Sequence, residues 1–267
     1  MPPNAPEEAA PVKTIDRAAA ILSCLADGPE EGSRLSDIAL RSGLGKTTTH
    51  RLLSALVSVG FVDRGENKLY RLGYTLYALG SNARRYDIAD LARPSLLRLS
   101  AETGDTVFLS VRDGDEALCL ARSTGDYPIQ TLTLKVGDRR PLGVGAGSLA
   151  LLSFLPEEEA ERIIATNEES RLPYPNFSSE TLRALVAASR KQGFSFNDGR
   201  IVSEMAAVAV PVFGPEGGLT AALSLAAIRQ RMTPERIKSL TNALKREAAA
   251  LSELLHAREP SERSKHE

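Results

Sequence analysis

Ser33–Gly73 reads SRLSDIALRSGLGKTTTHRLLSALVSVGFVDRGENKLYRLG, and the elements it encodes decide the fold of the N-terminal third. Leu35, Ile38, Ala39 and Leu40 recur at helical steps and predict a short helix over 33–42. Gly43-Leu44-Gly45 interrupts it, and a second helical pattern resumes from Lys46 to Val59. On that helix Leu52, Leu53 and Leu56, with Thr49, share one side, while Thr47, His50, Arg51, Ser54 and Ser58 share the other. The second face is polar and basic with no carboxylate, so phosphate does not repel it and base edges can hydrogen-bond to it. Two helices joined by a short glycine turn, the second one reading DNA, is the helix-turn-helix plan. After Gly60, the extended runs 61–64 and 68–72 flank Gly65-Glu66-Asn67 and predict a hairpin. Its cations, Arg64, Lys68 and Arg71, are placed as a wing that touches backbone phosphates.

Working outward, Ala18, Ile21, Leu22 and Leu25 predict a helix from Ile15 to Ala26 that packs beneath the pair. Residues 1–12 are rich in Pro, Ala and Glu and read as a flexible tail. From Tyr74 the pattern is helical again, giving a DNA-binding domain over 13–73 and a linker helix over 74–91. Charge agrees with this division. Lys13–Tyr86 carries eleven Lys/Arg against seven Asp/Glu, whereas everything after Tyr86 sums to −3 in a chain of net charge −1. A basic segment beside an acidic remainder suits a chain in which one domain faces a polyanion. The competing reading is a plain three-helix bundle with a polar surface. Helix pattern, hairpin and charge asymmetry together favour the DNA reader, with Arg17, Lys46, Thr47, Thr48, His50, Arg51, Arg64, Lys68 and Arg71 as its candidate contacts.

The 267 residues suit two domains, and 42% hydrophobic with 25% charged residues is ordinary for a globular protein. No leader pattern or bilayer-length apolar run stands out, and Cys24 and Cys119 have no partner spacing, so a cytoplasmic, membrane-free protein is expected. Residues 92–256 read as an α/β domain. Strands are expected at 106–111 and 116–122 around the Arg112-Asp113-Gly114 turn, at 129–136, and at 206–213 and 219–228. Helices are expected at 145–155, 157–165, 181–191 and 234–256, with a polar tail over 257–267. The whole is an α+β multidomain chain.

An enzyme is the rival class. The three histidines are His50, His256 and His266, so residues 92–228 hold none, together with a single cysteine. Ser-His pairs, histidine acid–base chemistry and His-ligated metals lack their residues there. Carboxylate-only chemistry stays open, as does a second domain that only oligomerises. Gly143, Gly145 and Gly147 alternate without a Rossmann setting; they admit either close approach to a ligand or tight helix packing.

The runs TIDRAAAILSCLADG (14–28) and Ser33–Gly73 resemble the DNA-binding domain of the IclR family of bacterial regulators. The resemblance continues through LSAETGDTVFLSVRDG (99–114), VGDRRPLGVGAGSLALLSFLP (136–156), GFSFNDGR (193–200) and EMAAVAVPVFGPEGGLTAALSLAAI (204–228). It implies a winged helix-turn-helix, a GAF-like effector-binding domain, a small organic acid as effector and no cofactor or metal. It also implies a homodimer or homotetramer on palindromic or pseudo-palindromic double-stranded operator DNA. Carried over motif by motif, the effector would meet Thr131, Gly145, Ala146, Gly147, Asn197, Met205, Ala207, Ser224 and Ala226. This chain departs from the family pattern in ways that make the site less polar. Asn197 stands where an acid is frequent, Ala207 where a small polar residue occurs, Ala226 for a second serine and Ser148 for a lysine. An aromatic or longer aliphatic acid is therefore expected. At the DNA end, Gly45 replaces a proline.

Overall fold

The computed structural model describes residues 13–81, 87–131 and 133–258. They fall into two compact units, divided between residues 84 and 85. The expected tail over 1–12 and residues 259–267 of the expected tail over 257–267 lie outside the described residues, whereas residues 257 and 258 are helical and close the last helix.

The first unit is built from α1 (Lys13–Ala26), α2 (Leu35–Ser42) and α3 (Lys46–Ser58), then β1 (Val62–Arg64), β2 (Tyr70–Leu72) and α4 (Tyr74–Ser81). Gly43 ends α2 in the left-handed conformation (φ 68°), which a glycine adopts without a Cβ penalty, and turns the chain into α3. Ile21, Ile38 and Leu53 are fully buried between the three helices. Each such side chain contributes about 1.5–3 kcal/mol of burial. β1 and β2 pair antiparallel with Val62 opposite Leu72. Ser33 adds a third edge, exchanging both backbone hydrogen bonds with Tyr70 at 2.8 and 2.9 Å.

The second unit opens with α5 (Asp87–Thr103), followed by β3 (Thr106–Asp113), β4 (Glu116–Thr124) and β5 (Arg139–Pro141). Three helices follow: α6 (Ala146–Ser153), α7 (Glu157–Thr166) and α8 (Ser179–Gln192). β6 (Ser195–Asp198), β7 (Met205–Phe213), β8 (Leu219–Ile228) and α9 (Pro234–Arg258) complete it. The strands form one six-stranded sheet in the order β5-β4-β3-β8-β7-β6, antiparallel throughout. α5 and α9 cover one face over Leu109, Val208, Val210, Leu223 and Leu225. α6 lies against the other face and is backed by α8. All eight residues of α6 are buried, which explains a sequence apolar on every side.

Three features differ from the sequence reading. The described residues of 129–136 form no strand. The backbone bonds on that side of β4 go instead to the segment entering β5, with Cys119 N–H donating to Asp138 O (3.0 Å) and Gly137 N–H to Cys119 O (2.8 Å). The Asp138 carboxylate holds Lys135 N–H (2.7 Å), tightening a turn where the alternating pattern suggested an extended run. β5 and β6, of three and four residues, were too short to carry a periodic signal. Of the expected linker helix 74–91, residues 74–81 form α4, residues 87–91 open α5, and 82–86 lie outside the described residues.

Candidate DNA interface and effector cavity

α3 presents the polar face that its sequence implies. Thr49, Leu52, Leu53 and Leu56 are buried. Lys46, Thr47, His50, Arg51, Ser54 and Ser58 are exposed, and Thr48 is half-buried. Thr49 turns inward, its hydroxyl donating to Gly45 O at 3.1 Å. Arg17 on α1 is exposed, as are Arg64, Lys68 and Arg71 on the hairpin. Arg64 stacks over the Tyr70 ring at 5.4 Å. None of these cations pairs with a carboxylate among the described residues, so their charge is free for an outside anion. The hairpin turns through Gly65–Lys68: Lys68 N–H donates to Gly65 O (3.0 Å), and Gly65 N–H to Leu69 O (2.9 Å). Lys68 itself sits at φ 62°, a left-handed conformation rare for a residue with a Cβ.

In the second unit a cavity lies between the sheet and the start of α6, with about 650 Å³ of empty space between its lining atoms, part of it open to solvent. Strand alternation assembles it. Ser110 and Phe108 from β3, Ser224 and Ala226 from β8, Met205 and Ala207 from β7, and Asn197 from β6 all line it. Register aligns Asn197, Ala207 and Ala226 in one row across three strands, and Ser224 lies in the next row beside Ala209. Gly145, Ala146 and Gly147 form the roof, and Thr131 enters from the β4–β5 connection. All nine residues carried over from the resemblance therefore surround this one cavity.

Its geometry requires small residues. A Cβ on Gly147 would stand 3.1 Å from Ser224 Oγ and 3.4 Å from Ser110 Oγ, so any larger residue there would have to push these hydroxyls aside for α6 to stay this close to the sheet. Gly145 sits at φ 92°, which L side chains rarely adopt. Ser148 fastens the turn before the helix. Its hydroxyl donates to Pro141 O (2.9 Å) and accepts from Gly143 N–H (3.0 Å). Ser195 Oγ donates to Ala146 O at 2.6 Å. Asn197 Oδ1 and Thr131 Oγ1 are buried without a hydrogen-bond partner among the described residues. Each such group costs about 1–3 kcal/mol when nothing satisfies it.

The sequence reading missed Arg140, a half-buried lining residue on β5. Its guanidinium donates to Thr133 O, and burial pushes its pKa down from the ordinary arginine value. Only strand parity could have revealed it. The neighbouring Arg139 points the other way and pairs with Asp113 and Glu116. Cys119 is buried beside Phe108 and Ala226, and burial pushes its thiol to about 11. It is protonated at neutral pH and no nucleophile. Among the described residues no His/Cys/Asp/Glu cluster suits a metal. None of the described helices is long and apolar enough to cross a membrane.

Residues 14–66 match the IclR helix-turn-helix domain, and residues 81–253 match the bacterial transcriptional regulator IclR C-terminal domain. The chain belongs to the IclR family. Among its relatives, the HTH-type transcriptional regulator KipR of Bacillus subtilis is 31% identical, over 90% of this chain and 96% of KipR. XynR of Escherichia coli is 29% identical, over 91% of this chain and 97% of XynR. The Thermotoga maritima IclR crystal structure superposes with TM-score 0.72 at 26% identity, covering 92% of this chain and 99% of that one. An IclR homologue of Microbacterium hydrocarbonoxydans complexed with 4-hydroxybenzoate shares the fold, with TM-score 0.73 at 24% identity over 91% of this chain and 98% of that one. This IclR-family chain is thus a DNA-binding transcriptional regulator with a C-terminal effector-binding domain, and not an enzyme.

Proposed function

We propose that this regulator controls a catabolic operon in the cytoplasm in response to an organic acid of aromatic or longer aliphatic type. The cavity under α6 carries the reading. Its floor is mostly apolar, through Phe108, Met205, Ala207 and Ala226, and its roof is a helix start. The first-turn N–H groups of a helix are unpaired donors with partial positive charge, which suits a carboxylate. The Microbacterium neighbour binds an aromatic acid, and the weak polarity of the cavity here favours the same broad class. On the DNA side, Thr47 and His50 approach base edges from α3, while Arg17, Lys46, Thr48, Arg51, Arg64, Lys68 and Arg71 hold phosphates. One such unit reads few base pairs, so a homodimer or homotetramer on a palindromic or pseudo-palindromic operator supplies the specificity.

The test is thermal unfolding of the full chain against a panel of aromatic and aliphatic acids, followed by operator gel shifts with any acid that stabilises it. An acid that raises the melting temperature and changes operator affinity is the expected result. If no acid does either, the cavity is not the sensing site. Sedimentation should give a dimer or tetramer, and specific operator binding by a monomer would refute the two-fold arrangement.

A further inference from the structure

Building on the reading of the cavity as an acid site, we propose that its ligand has two unlike polar ends, an anionic group paired with Arg140 and a hydroxyl donated to Asn197. The ligand class is a hydroxylated carboxylic acid. Arg140 supplies the first half. β5 is a short edge strand on which consecutive side chains face opposite ways. Arg139 takes the outer side and its two carboxylates. Arg140 takes the inner side and meets none among the described residues; one Nη donates to the Thr133 carbonyl. Its other nitrogen, Nη1, lies 3.3 Å from where a Cβ on Gly145 would stand, beside the α6 N-terminus. An arginine drawn into a protein is nearly always paired. The nearest carboxylate, Asp138, acts on the guanidinium only through its charge, accepts from Lys135 N–H and forms no ion pair with Arg140 among the described residues. Guanidinium and helix start thus converge on one spot that a ligand's anion can fill.

Asn197 supplies the second half. It lies on β6, the opposite edge strand, and is only 7% exposed. Its Oδ1 faces the cavity unpartnered, and a carbonyl oxygen can only accept. Thr131, 2% exposed, adds an unpartnered hydroxyl to the same lining. A carboxylate cannot satisfy Asn197 Oδ1, because it too only accepts. A hydroxyl can. A simple acid would therefore leave one buried acceptor unpaired, and a neutral alcohol would leave the guanidinium unpaired.

The experiment is calorimetric titration of the full chain with benzoate, 4-hydroxybenzoate and 4-hydroxybenzamide, alongside longer ω-hydroxy and unsubstituted fatty acids. Parent protein, Arg140→Gln and Asn197→Leu are compared. The parent should prefer the hydroxylated acid over both its amide and its unhydroxylated analogue by about 10–100-fold each, the worth of one well-placed hydrogen bond to a charged or buried group. Arg140→Gln should bring the acid-to-amide ratio close to one while keeping the hydroxyl preference. Asn197→Leu should do the converse. Each readout is a ratio within one variant, so a general loss of stability does not imitate it. Should either variant fail to fold, Arg140→Lys and Asn197→Asp replace them. The lysine keeps the charge and part of the acid preference, and the aspartate keeps the acceptor but repels the anion. If no acid of either series binds the parent, the acid-site reading itself falls. If acids bind but Arg140→Gln leaves the acid-to-amide ratio unchanged, the acid site stands and the Arg140 pairing is overturned. An unchanged hydroxyl preference in Asn197→Leu overturns the second pairing.

Discussion

Lys68 occupies a backbone conformation that costs it stability, and replacing it with glycine should separate folding from DNA binding. At φ 62° it fills the left-handed position of the Gly65–Leu69 turn, where hairpins of this kind ordinarily place glycine. A side chain there costs about 1–2 kcal/mol, and glycine gives back about 0.4–1 kcal/mol through the greater freedom of its unfolded chain. Lys68→Gly should therefore stabilise the hairpin by about 0.5–1 kcal/mol. Hydrogen exchange of Tyr70 N–H reads this directly, because that group bonds to Ser33 O across the wing. The same change removes an exposed, unpaired cation. If Lys68 rests on a phosphate, the slope of log affinity against log salt should fall by about 0.9 per chain, or twice that for a two-fold dimer. Fluorescence anisotropy on operator DNA from about 50 to 200 mM salt measures it. The expected outcome is a stiffer wing that binds DNA less well, uniformly across sequences. An unchanged salt slope would remove Lys68 from the interface and leave the strained lysine without a purpose; slower folding or faster exchange would refute the strain argument.

Three further outcomes follow from particular contacts. Gly45 has φ −62° and ψ 143°, close to the φ that proline fixes, with open space where a Cβ would stand, and its N–H makes no backbone hydrogen bond among the described residues, so Gly45→Pro suits the backbone here. It should slow exchange across α3 by the equivalent of about 0.4–1 kcal/mol, and faster exchange would contradict the geometry. Ser224 Oγ makes no hydrogen bond among the described residues, so Ser224→Ala should leave the melting temperature nearly unchanged while weakening an acid ligand several-fold by calorimetry; equal ligand affinity would place the ligand away from β8. The third concerns Glu247 on α9, which is buried and accepts from Arg98 Nη2 at 2.7 Å and Nε at 3.2 Å. Burial pulls its pKa up, but hydrogen bonds from Arg98 and Ser95 and the nearby arginine charges outweigh that and hold it below the ordinary carboxylate value. A lowered native pKa contributes stability that is present above the unfolded value and lost as pH falls through the native one. Urea unfolding from pH 7 down to about 3 should show that loss in the parent and a flatter profile in Arg98→Met, where the buried carboxylate keeps only Arg246, at 3.6 Å, and Ser95, and is less stabilised at neutral pH.

The DNA-binding unit was legible because its signals are local. Helix periodicity, a glycine break and a hairpin turn each occupy under twenty residues, and the buried Thr49 and exposed Thr47 followed from helical phase alone. The effector unit was legible only where strands were long. β7 and β8, nine and ten residues, were found by their apolar runs, whereas β5 and β6 were not. Ile129–Val136 shows the converse failure. Its alternation is real, but Thr131 turns inward to the cavity and Gly137 and Asp138 take the β4 edge, so the pattern marks a lining segment and not a ladder. Propensity has no way to register that competition, since the winner is set by which backbone groups reach β4 in three dimensions.

The same parity decides the arginine that composition could not single out. Arg139 and Arg140 are adjacent and chemically identical, and nothing in the dipeptide ranks one above the other. Once β5 pairs with β4 with Ala117 opposite Arg140, the two side chains must diverge. One reaches Asp113 and Glu116 at the half-exposed rim, where an ion pair contributes little. The other enters a site in which every additional partner is a ligand's, and where its charge is weakly screened. A one-residue slip of β5 would exchange these roles, leaving Arg139 in the cavity and Arg140 at the rim. The Ser148 clip prevents that slip, binding Pro141 O and Gly143 N–H on either side of the strand's end.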